Sequence, residues 1–299
     1  MSYECVIVGG GIAGLQAAVQ LGRYMHKVLV IDSSDGRSTI CRSYHNILGY
    51  PDGVSGQHLR EMGKKHAKQL GIEFFNGKVI SVVKKEDGFQ LETESGDSFF
   101  GERLLLATGV MDRIPPFAEL FPCLGISVYV CPDCDGYEIK GKRTIIFGSG
   151  RTGVEMGKTL SYWTKELIFI NHEQKPLDEK DRQILQEYKI EYIDIPVKQV
   201  LADGSQLEGF LLENGETVKG NHGFIAFSGN EVRSQLAKEL GVEMMENKHL
   251  VVDPRSKKTN VEGVWAAGDV VAHSEQVTIA MGEGSQAAIW IHKDIMAKK

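Results

Sequence analysis

The stretch from Val6 to Gly14 reads VIVGGGIAG and decides how the rest of the chain is interpreted. An apolar strand runs into a glycine-rich turn, G-x-G-x-x-G at Gly9, Gly11 and Gly14, and helix-like sequence follows. The next apolar strand ends at Asp32, 21 residues beyond Gly11. In this pattern Gly9 permits a tight turn, Gly11 lets a pyrophosphate approach, Gly14 allows close helix–strand packing, and the acid binds a ribose. The stretch therefore predicts a dinucleotide site at a helix N-terminus.

A second copy of the same pattern begins at Thr144, where the sequence reads TIIFGSGRTG. Its glycines are Gly148, Gly150 and Gly153, and its next strand leads into the run 171–173, Asn-His-Glu. Two such patterns in one chain imply two dinucleotide sites. The usual chemical reason is one flavin that is held permanently and one nicotinamide that exchanges.

Composition limits the classes of partner. The chain has 299 residues, of which 34 are glycine, about 11% against a usual share of about 7%. The net charge is −6 with no basic block, so we expect no nucleic-acid partner. No apolar run approaches the roughly 18 residues that a membrane helix needs, and no targeting pattern is recognisable at the N-terminus. These features predict a cytoplasmic protein without a membrane partner.

One pair of the five cysteines has the spacing of a redox site. Cys131-Pro132-Asp133-Cys134 is a C-x-x-C motif, followed directly by Asp135. No second Cys/His pair stands at ligand spacing, so we expect no metal. A C-x-x-C thiolate can attack a disulfide, and a neighbouring carboxyl can pass a proton to a leaving thiol. The alternative interpretation is a pair of buried structural thiols.

The order of the smaller motifs predicts how the chain is divided. A buried strand ends at Ala107-Thr108-Gly109, and another ends at Gly268-Asp269 before a terminal helix that begins near Gln276. Residues 77–100 alternate apolar and polar side chains, which predicts an antiparallel meander. Because the Gly-Asp segment belongs with the first nucleotide unit, the second unit is predicted to be an insertion. The expected fold is α/β with two Rossmann-like, three-layer domains: residues 1–113 and 243–299 form the first dinucleotide-binding domain, and residues 114–242 form the inserted one, which carries the C-x-x-C.

These motifs, in this order, resemble the low-molecular-weight thioredoxin reductases along essentially the whole chain. The matching pieces are residues 9–14, 46–49, 51–53, 107–109, 131–136, 148–155, 265–270 and 276–288. The resemblance implies an FAD domain split by an inserted nicotinamide domain that carries a redox disulfide, and a homodimer formed through the FAD domain. It also implies that Cys134 faces the flavin, that Cys131 attacks the outgoing partner and that Asp135 relays a proton.

The same resemblance assigns residues to the two cofactors. For FAD they are Gly9, Gly11, Ile12, Ala13, Gly14, Asp32, Asn46, Ala107, Thr108, Gly109, Gly268, Asp269, Gln276, Val277 and Thr278. For the nicotinamide they are Gly148, Gly150, Arg151, Thr152, Gly153 and Glu173.

The sequence departs from the family pattern at two places. Family members that use NADPH carry His-Arg-Arg where this chain has Asn171-His172-Glu173, and a carboxylate at Glu173 would repel a 2′-phosphate. This predicts either a preference for NADH or weak or lost nicotinamide binding, unless Glu173 only begins a solvated turn. The stretch from Gly36 to His45 also lacks the usual Gly-Gln and threonine-rich run. Arg42 and His45 in it either face the cofactor or redox partner, or cover a rim.

The predicted function is to pass electrons from a nicotinamide through FAD to Cys131–Cys134, and on to a thioredoxin-like protein or a low-molecular-weight disulfide. A side branch, the gliotoxin-type dithiol oxidases, also resembles this chain. Its members tend to have histidine after C-x-x-C, so Asp135 favours a reductase. The alternatives are a dithiol oxidase that uses oxygen, a reductase fed by ferredoxin or flavodoxin with the second glycine loop as a relic, and a flavoprotein redox sensor.

Overall fold

The structure is a computed structural model that describes residues 2–272 and 274–298. It contains two compact units, each built from chain segments that are distant in sequence. The first unit comprises residues 2–39 and 56–111 and the described part of 231–298. The second unit comprises residues 40–55 and 112–230. Among the described residues, no helix is both long and apolar enough to cross a membrane.

The strands of the described residues, in chain order, are β1 (Ser2–Tyr3), β2 (Cys5–Val8), β3 (Val28–Asp32), β4 (Glu73–Asn76), β5 (Val79–Lys85), β6 (Gly88–Thr93), β7 (Ser98–Gly101), β8 (Leu104–Leu106), β9 (Val110–Met111), β10 (Val128–Tyr129), β11 (Thr144–Gly148), β12 (Leu167–Asn171), β13 (Glu191–Ile193), β14 (Val197–Asp203), β15 (Gln206–Leu212), β16 (Thr217–Lys219), β17 (His222–Ala226), β18 (Glu231–Val232) and β19 (Val264–Ala266).

The α-helices are α1 (Ile12–Arg23), α2 (Arg37–Ile40), α3 (Gly56–Gln69), α4 (Leu120–Cys123), α5 (Pro132–Asp135), α6 (Gly150–Leu160), α7 (Glu179–Glu187), α8 (Gln235–Glu239) and α9 (Val277–Ala297). A short 3₁₀ helix, Gly136–Ile139, follows α5 directly.

A five-stranded parallel sheet, in the order β19-β8-β2-β3-β4, organises the first unit. Its central strands are continuous apolar runs with every residue of β2 buried, as expected of a parallel sheet covered on both faces. Val8 pairs with both Ile31 and Leu106, so β2, β3 and β8 end at the same sheet edge. The first glycine loop, Asp32 and the turn after β8 all leave from that edge.

Small side chains let helices α1 and α9 pack closely in the first unit. Ala17 and Ala18 of α1 are buried in one apolar cluster with Ala287, Ala288 and other residues of α9. The predicted meander over residues 77–100 is confirmed, because β5, β6 and β7 are antiparallel neighbours in a second sheet. The predicted terminal helix is also confirmed, with Gln276 as its N-cap residue.

The second unit repeats the architecture around a parallel sheet in the order β10-β17-β11-β12-β13, with a three-stranded meander of β14, β15 and β16. Gly148 pairs with both Asn171 and Ala226, so β11, β12 and β17 end at one edge. Tyr129 of β10 pairs with Phe224, which in turn pairs with Ile146. The chain that leaves β10 toward the C-x-x-C motif therefore leaves from the same edge as the second glycine loop.

The mixed α/β architecture with two parallel-sheet units agrees with the predicted fold class. The division between the units at Met111 and Asp112 lies within two residues of the predicted entry at 113/114. Two segments are grouped differently from the predicted domains. Residues 40–55 belong to the second compact unit, and residues 231–242 belong to the first, where β18 pairs with β9. The assignment of FAD and nicotinamide to the two domains stays a prediction.

Candidate functional site

The first glycine loop has the backbone that a dinucleotide turn requires. Gly9 has φ +108°, and a Cβ there would lie 2.2 Å from the carbonyl oxygen of Ala107. A Cβ at Gly14 would lie 1.9 Å from the carbonyl oxygen of Gly9. No side chain fits at either position. Gly11, the N-cap residue of α1, has no atom within 4 Å of a Cβ, so a ligand can approach its backbone and the helix N-terminus, where Ile12 and Ala13 begin the first turn.

Asp32 lies beside this loop and is held by hydrogen bonds. Its Oδ1 accepts from the backbone N–H of Gly10 at 3.0 Å, and its Oδ2 accepts from Nη2 of Arg60 at 2.7 Å. Nη1 of Arg60 donates to the carbonyl oxygen of Gly10 at 2.9 Å, which ties the carboxylate, the loop and helix α3 together. Sequence reasoning missed Arg60, since no motif marks it. Only the packing of α3 against α1 brings it to the loop.

The start of α9 meets the start of α1 at the same place. A Cβ at Gly284 would lie 2.2 Å from the carbonyl oxygen of Ala13, and a Cβ at Gly268 would lie 2.8 Å from Cβ of Ala13. The backbone N–H of Gly268 donates to Oε2 of Glu283 at 2.9 Å, and Oε1 of Glu283 accepts from Nζ of Lys257 at 2.8 Å. This buried ion pair fixes the Gly-Asp turn against the first residues of α9, which include Val277 and Thr278.

Asp269 is paired with a cation that sequence reasoning did not assign. Nη1 of Arg37 lies 2.9 Å from Oδ2 of Asp269 and 2.6 Å from Oε2 of Glu275. Nε2 of His249 lies 3.2 Å from the other oxygen of Glu275. The Arg37 side chain is 21% exposed, which leaves it partly accessible beside the first residues of α9. A guanidinium in this position is the type of group that recognises phosphate oxygens.

The turn after β8 completes the first unit's set of predicted residues. Thr108 donates from Oγ1 to the carbonyl oxygen of Arg233 at 2.6 Å, and Gly109 has φ +70°. The carbonyl oxygen of Gly109 accepts from the backbone N–H of Arg233 at 3.1 Å. These bonds connect the turn to the chain just before α8. Asn46, by contrast, lies exposed in the segment 40–55 of the second unit, so the structure does not group it with the other predicted FAD residues.

The second glycine loop is built as tightly as the first. A Cβ at Gly148 would lie 2.5 Å from the carbonyl oxygen of Ala226, and a Cβ at Gly153 would lie 2.1 Å from the ring of Phe169. Gly150 has φ +54° and begins α6. Arg151 and Thr152, both predicted to bind the nicotinamide, follow in the first turn of α6. Arg151 is exposed, and its Nη2 lies 3.5 Å from Oε1 of Glu155.

Asn171 holds this loop at the position that corresponds to Asp32. It lies 21 residues beyond Gly150, as Asp32 lies beyond Gly11. Its side chain is fully buried, and Oδ1 accepts from the backbone N–H of Gly150 at 2.8 Å. Nδ2 lies within 3.0 Å of acceptor oxygens on Lys175, Tyr192 and Asp194. The 21-residue spacing from Gly150 marks Asn171 in the sequence, but sequence reasoning did not identify Asn171 as a residue that positions the loop.

Glu173 lies between two cations. It forms an ion pair with Arg113, and its Oε2 lies 2.8 Å from Nζ of Lys175. Arg113 and Lys175, together with Ser149, lower the pKa of the Glu173 carboxyl to about 2. Sequence reasoning identified the carboxylate but not its cations, because Arg113 comes from a distant part of the chain. The loop therefore presents a neutralised cluster rather than an isolated negative charge.

Cys131 and Cys134 form a disulfide at the start of helix α5. Cys131 is the N-cap residue, Pro132 is the first helical residue, and the backbone N–H of Cys134 lies 3.2 Å from Sγ of Cys131. A Cβ at Gly136 would lie 2.7 Å from the ring of Trp163, so only glycine fits after Asp135. The free N–H groups at a helix N-terminus favour a thiolate at the N-cap position once the bond is reduced.

Asp135 is 9% exposed and has a histidine near it. Its Oδ1 lies 4.0 Å from Nδ1 of His45, longer than a hydrogen bond but within reach of an ion pair. Burial raises the pKa of the Asp135 carboxyl, and the nearby carboxylate raises the pKa of the His45 imidazole. A carboxyl with a raised pKa next to a dithiol is a better proton acceptor than an ordinary aspartate, and it can return the proton to a thiolate.

Comparison with known proteins identifies the family that the chain matches. The family model described as pyridine nucleotide-disulphide oxidoreductase matches residues 3–284. Thioredoxin reductase from Aquifex aeolicus is 27% identical, over 99% of this chain and 94% of that protein. Thioredoxin reductase from Listeria monocytogenes is 27% identical over 95% and 91%. The solved structure of HlmI aligns with a TM-score of 0.86 at 26% identity, covering 99% of this chain and 93% of that chain.

Proposed function

This chain belongs to the pyridine nucleotide-disulphide oxidoreductase family and is a flavin-dependent disulfide oxidoreductase; within that class we propose that it passes electrons from NADH through FAD to Cys131–Cys134, and from there to an acceptor disulfide. We also propose that the acceptor is a thioredoxin-like protein or a low-molecular-weight disulfide. The proposed FAD domain is residues 1–113 and 243–299, and the proposed nicotinamide domain is residues 114–242. A cytoplasmic homodimer completes the proposal.

The observation that carries the proposal is the arrangement of the second unit. The C-x-x-C disulfide and the second glycine loop leave the same edge of one parallel sheet. Their strands, β10 and β11, are separated only by β17, a spacing of about 10 Å between strand axes. A unit that binds a nicotinamide at one end of this edge and carries a dithiol at the other contains both partners that a flavin must serve.

The first unit fits FAD. The open backbone at Gly11, the strained Gly9 and the carboxylate of Asp32 form a dinucleotide cradle, with Arg37 and the first turn of α9 beside it. We propose that the N-terminus of α1 and Arg37 hold the pyrophosphate and that Asp32 holds the adenosine ribose. When bound, the flavin would supply the two-electron chemistry that links a nicotinamide to a disulfide.

Glu173 supports a preference for NADH. Its pKa of about 2 keeps the carboxyl ionised at neutral pH, where it occupies Arg113 and Lys175. A 2′-phosphate would have to displace this carboxylate from its cations, whereas a free 2′-hydroxyl can donate to it. The neutralised cluster therefore favours the dinucleotide without the phosphate.

The dithiol chemistry follows from the residues around the disulfide. After reduction, the Cys131 thiolate attacks one sulfur of the acceptor disulfide, whose S–S bond breaks and releases a thiolate. Asp135 then accepts the proton of the Cys134 thiol, and the Cys134 sulfur attacks Sγ of Cys131. This step re-forms the Cys131–Cys134 bond and releases the second acceptor thiolate. Asp135 returns its proton to one departing thiolate, and the other takes up the proton that Cys131 released when it ionised, so the acceptor gains the two electrons and two protons that the dithiol loses.

Anaerobic titration of the flavin-containing protein with NADH, and separately with NADPH, tests this function. The visible flavin band should bleach with NADH and recover on addition of an acceptor disulfide. NADPH should bleach it only at higher concentration. Bleaching by neither nicotinamide, together with reduction by dithiothreitol, would refute the proposed electron source. Recovery of the band by oxygen but by no disulfide would refute the proposed direction.

A further inference from the structure

The segment 40–55 is fixed to the unit that carries the disulfide. The backbone N–H of Arg42 donates to the carbonyl oxygen of Leu124 at 2.9 Å. Tyr44 and Val54 form an antiparallel bridge through reciprocal bonds of 2.8 and 3.0 Å, which closes the segment into a loop. A Cβ at Gly125 would lie 2.8 Å from the carbonyl oxygen of Ser43. The backbone around His45 is therefore held on both sides.

The ring nitrogen Nδ1 of His45 faces the carboxyl group of Asp135. Its Nδ1 is buried, lies 4.0 Å from Oδ1 of Asp135 and has no hydrogen-bond partner among the described residues. A Cβ at Gly53 would lie 3.1 Å from Cδ2 of the imidazole, so the turn at residues 51–53 packs against the ring and limits its movement. An unsatisfied ring nitrogen next to a buried carboxylate is costly unless a proton is shared between them.

Among residues 2–272 and 274–298, three titratable groups face this pair. Glu138, on the 3₁₀ helix after α5, adds a negative charge that raises the pKa of both His45 and Asp135. Tyr129 has its hydroxyl bonded to the carbonyl oxygen of Ile126 at 2.6 Å, and burial raises its pKa further above the ordinary value, so it stays neutral. The Cys131–Cys134 pair, adjacent to Asp135 in the chain, is the third. It bears no charge as a disulfide and becomes ionisable when reduced.

We propose that His45 is a positioning residue that acts through Asp135, and that the redox state of the Cys131–Cys134 pair controls the protonation of the two together. This inference rests on the proposed function, in which Asp135 moves the proton of Cys134. An imidazolium at His45 favours the Asp135 carboxylate and opposes the effect of burial, so it keeps Asp135 able to accept a proton. A thiolate formed on reduction favours proton uptake by the pair.

The dithiol and the His45–Asp135 pair together take up and release two electrons and two protons. Reduction of the disulfide by two electrons from the proposed nicotinamide donor breaks the S–S bond and leaves one thiol and one thiolate, with one proton taken up. A second proton binds the His45–Asp135 pair as the thiolate raises its affinity. Reoxidation by the acceptor disulfide releases both protons to the two acceptor thiolates. Coupling of this kind is reciprocal: the free energy by which reduction shifts the titration of His45 equals the free energy by which protonation of His45 favours reduction of the disulfide.

The test is a titration of histidine side chains by NMR in protein labelled at its histidines, with His45→Gln used to assign the signal. In the oxidised protein His45 should titrate above its ordinary pKa. Asp135→Asn should lower its midpoint by about one pH unit, the size expected when an opposite charge at this distance is removed. Reduction with dithiothreitol should raise the midpoint. His66→Gln, exposed on α3, is the matched control and should leave the His45 titration unchanged.

A second readout separates a positioning role from a merely structural one and does not require the Asp135 variant to fold. The rate of acceptor-disulfide reduction by His45→Gln, measured from pH 5 to 9, should show a displaced midpoint. A structural role would lower the rate equally at every pH. A His45 midpoint that responds neither to Asp135→Asn nor to reduction would overturn the inference. The histidine titration needs no nicotinamide, so this failure is distinct from a failure of the proposed electron source.

Discussion

Replacement of Glu173 by glutamine tests the structural basis of the NADH preference. The substitution removes one negative charge and leaves Arg113 and Lys175 beside the second glycine loop without their carboxylate. Both cations then become available to a 2′-phosphate, which is the anion that distinguishes NADPH. We therefore expect Glu173→Gln to improve the binding of NADPH and to weaken that of NADH slightly, through loss of the ribose acceptor.

The magnitude follows from the pKa of this side chain. A fall from 4.5 to about 2 means that the surroundings favour the carboxylate by about 3 kcal/mol, at about 1.4 kcal/mol per pH unit. The side chain is 23% exposed, so solvent screens part of this energy from an incoming phosphate. A third to two thirds of it would change the NADPH-to-NADH preference by roughly five- to thirty-fold.

Rapid-mixing measurements of flavin bleaching, at a series of NADH and NADPH concentrations, give the two affinities. Glu187→Gln is the matched control, because Glu187 is an exposed carboxylate at the end of α7 in the same unit. A ratio of affinities that stays within about two-fold of the wild type in Glu173→Gln would refute the reasoning. The free energy of unfolding of wild type and Glu173→Gln, measured as the pH is lowered from 7 to 2, is a second readout. The folded pKa is depressed, so the carboxylate contributes stability above pH 4.5 that is lost as the pH falls toward 2, and the variant should lack this loss.

Three further predictions concern the first unit. Gly9→Ala should destabilise the fold by several kcal/mol, because its Cβ would overlap a carbonyl oxygen 2.2 Å away. Gly11→Ala should leave the melting temperature of the flavin-free protein unchanged and reduce only flavin retention. Equal effects of the two variants on the melting temperature would contradict this assignment. Lys257→Met should lower the free energy of unfolding, measured by chemical denaturation, by about 3–5 kcal/mol, since it removes the cation paired with the buried Glu283 carboxylate. A decrease below about 1 kcal/mol would show that the pair is not important for stability. Arg37→Ala should increase the dissociation constant for FAD by roughly ten-fold, measured by flavin fluorescence, and an unchanged constant would contradict its contact with the pyrophosphate.

Local backbone requirements were predictable from the sequence. The positions of Gly9, Gly14, Gly148 and Gly153 follow from spacing, and each is a place where a Cβ would collide with backbone or a ring. The meander at residues 77–100 was also predictable from local sequence, because alternation of apolar and polar side chains favours half-buried strands. The C-x-x-C spacing likewise identified the pair that forms the disulfide.

Contacts between distant segments were not predictable. Arg37 reaches Asp269 across 232 residues, Arg113 reaches Glu173 across 60, and Arg60 reaches Asp32 across 28. Each of these arginines has a partner that only the tertiary fold brings near, and a single arginine carries no local pattern that marks it. The grouping of residues 40–55 with the second unit, which places His45 beside Asp135, was not predictable from the sequence for the same reason.

The central claim is that electrons pass from a nicotinamide through the flavin to Cys131–Cys134, and counting the reducing equivalents that the protein accepts tests it most directly. Under anaerobic conditions the flavin-containing wild type should consume about two molecules of NADH per flavin, one for the disulfide and one for the flavin. The double variant Cys131→Ser/Cys134→Ser should consume about one. A wild type that stops at one equivalent, with the disulfide still intact by thiol labelling, would contradict the account.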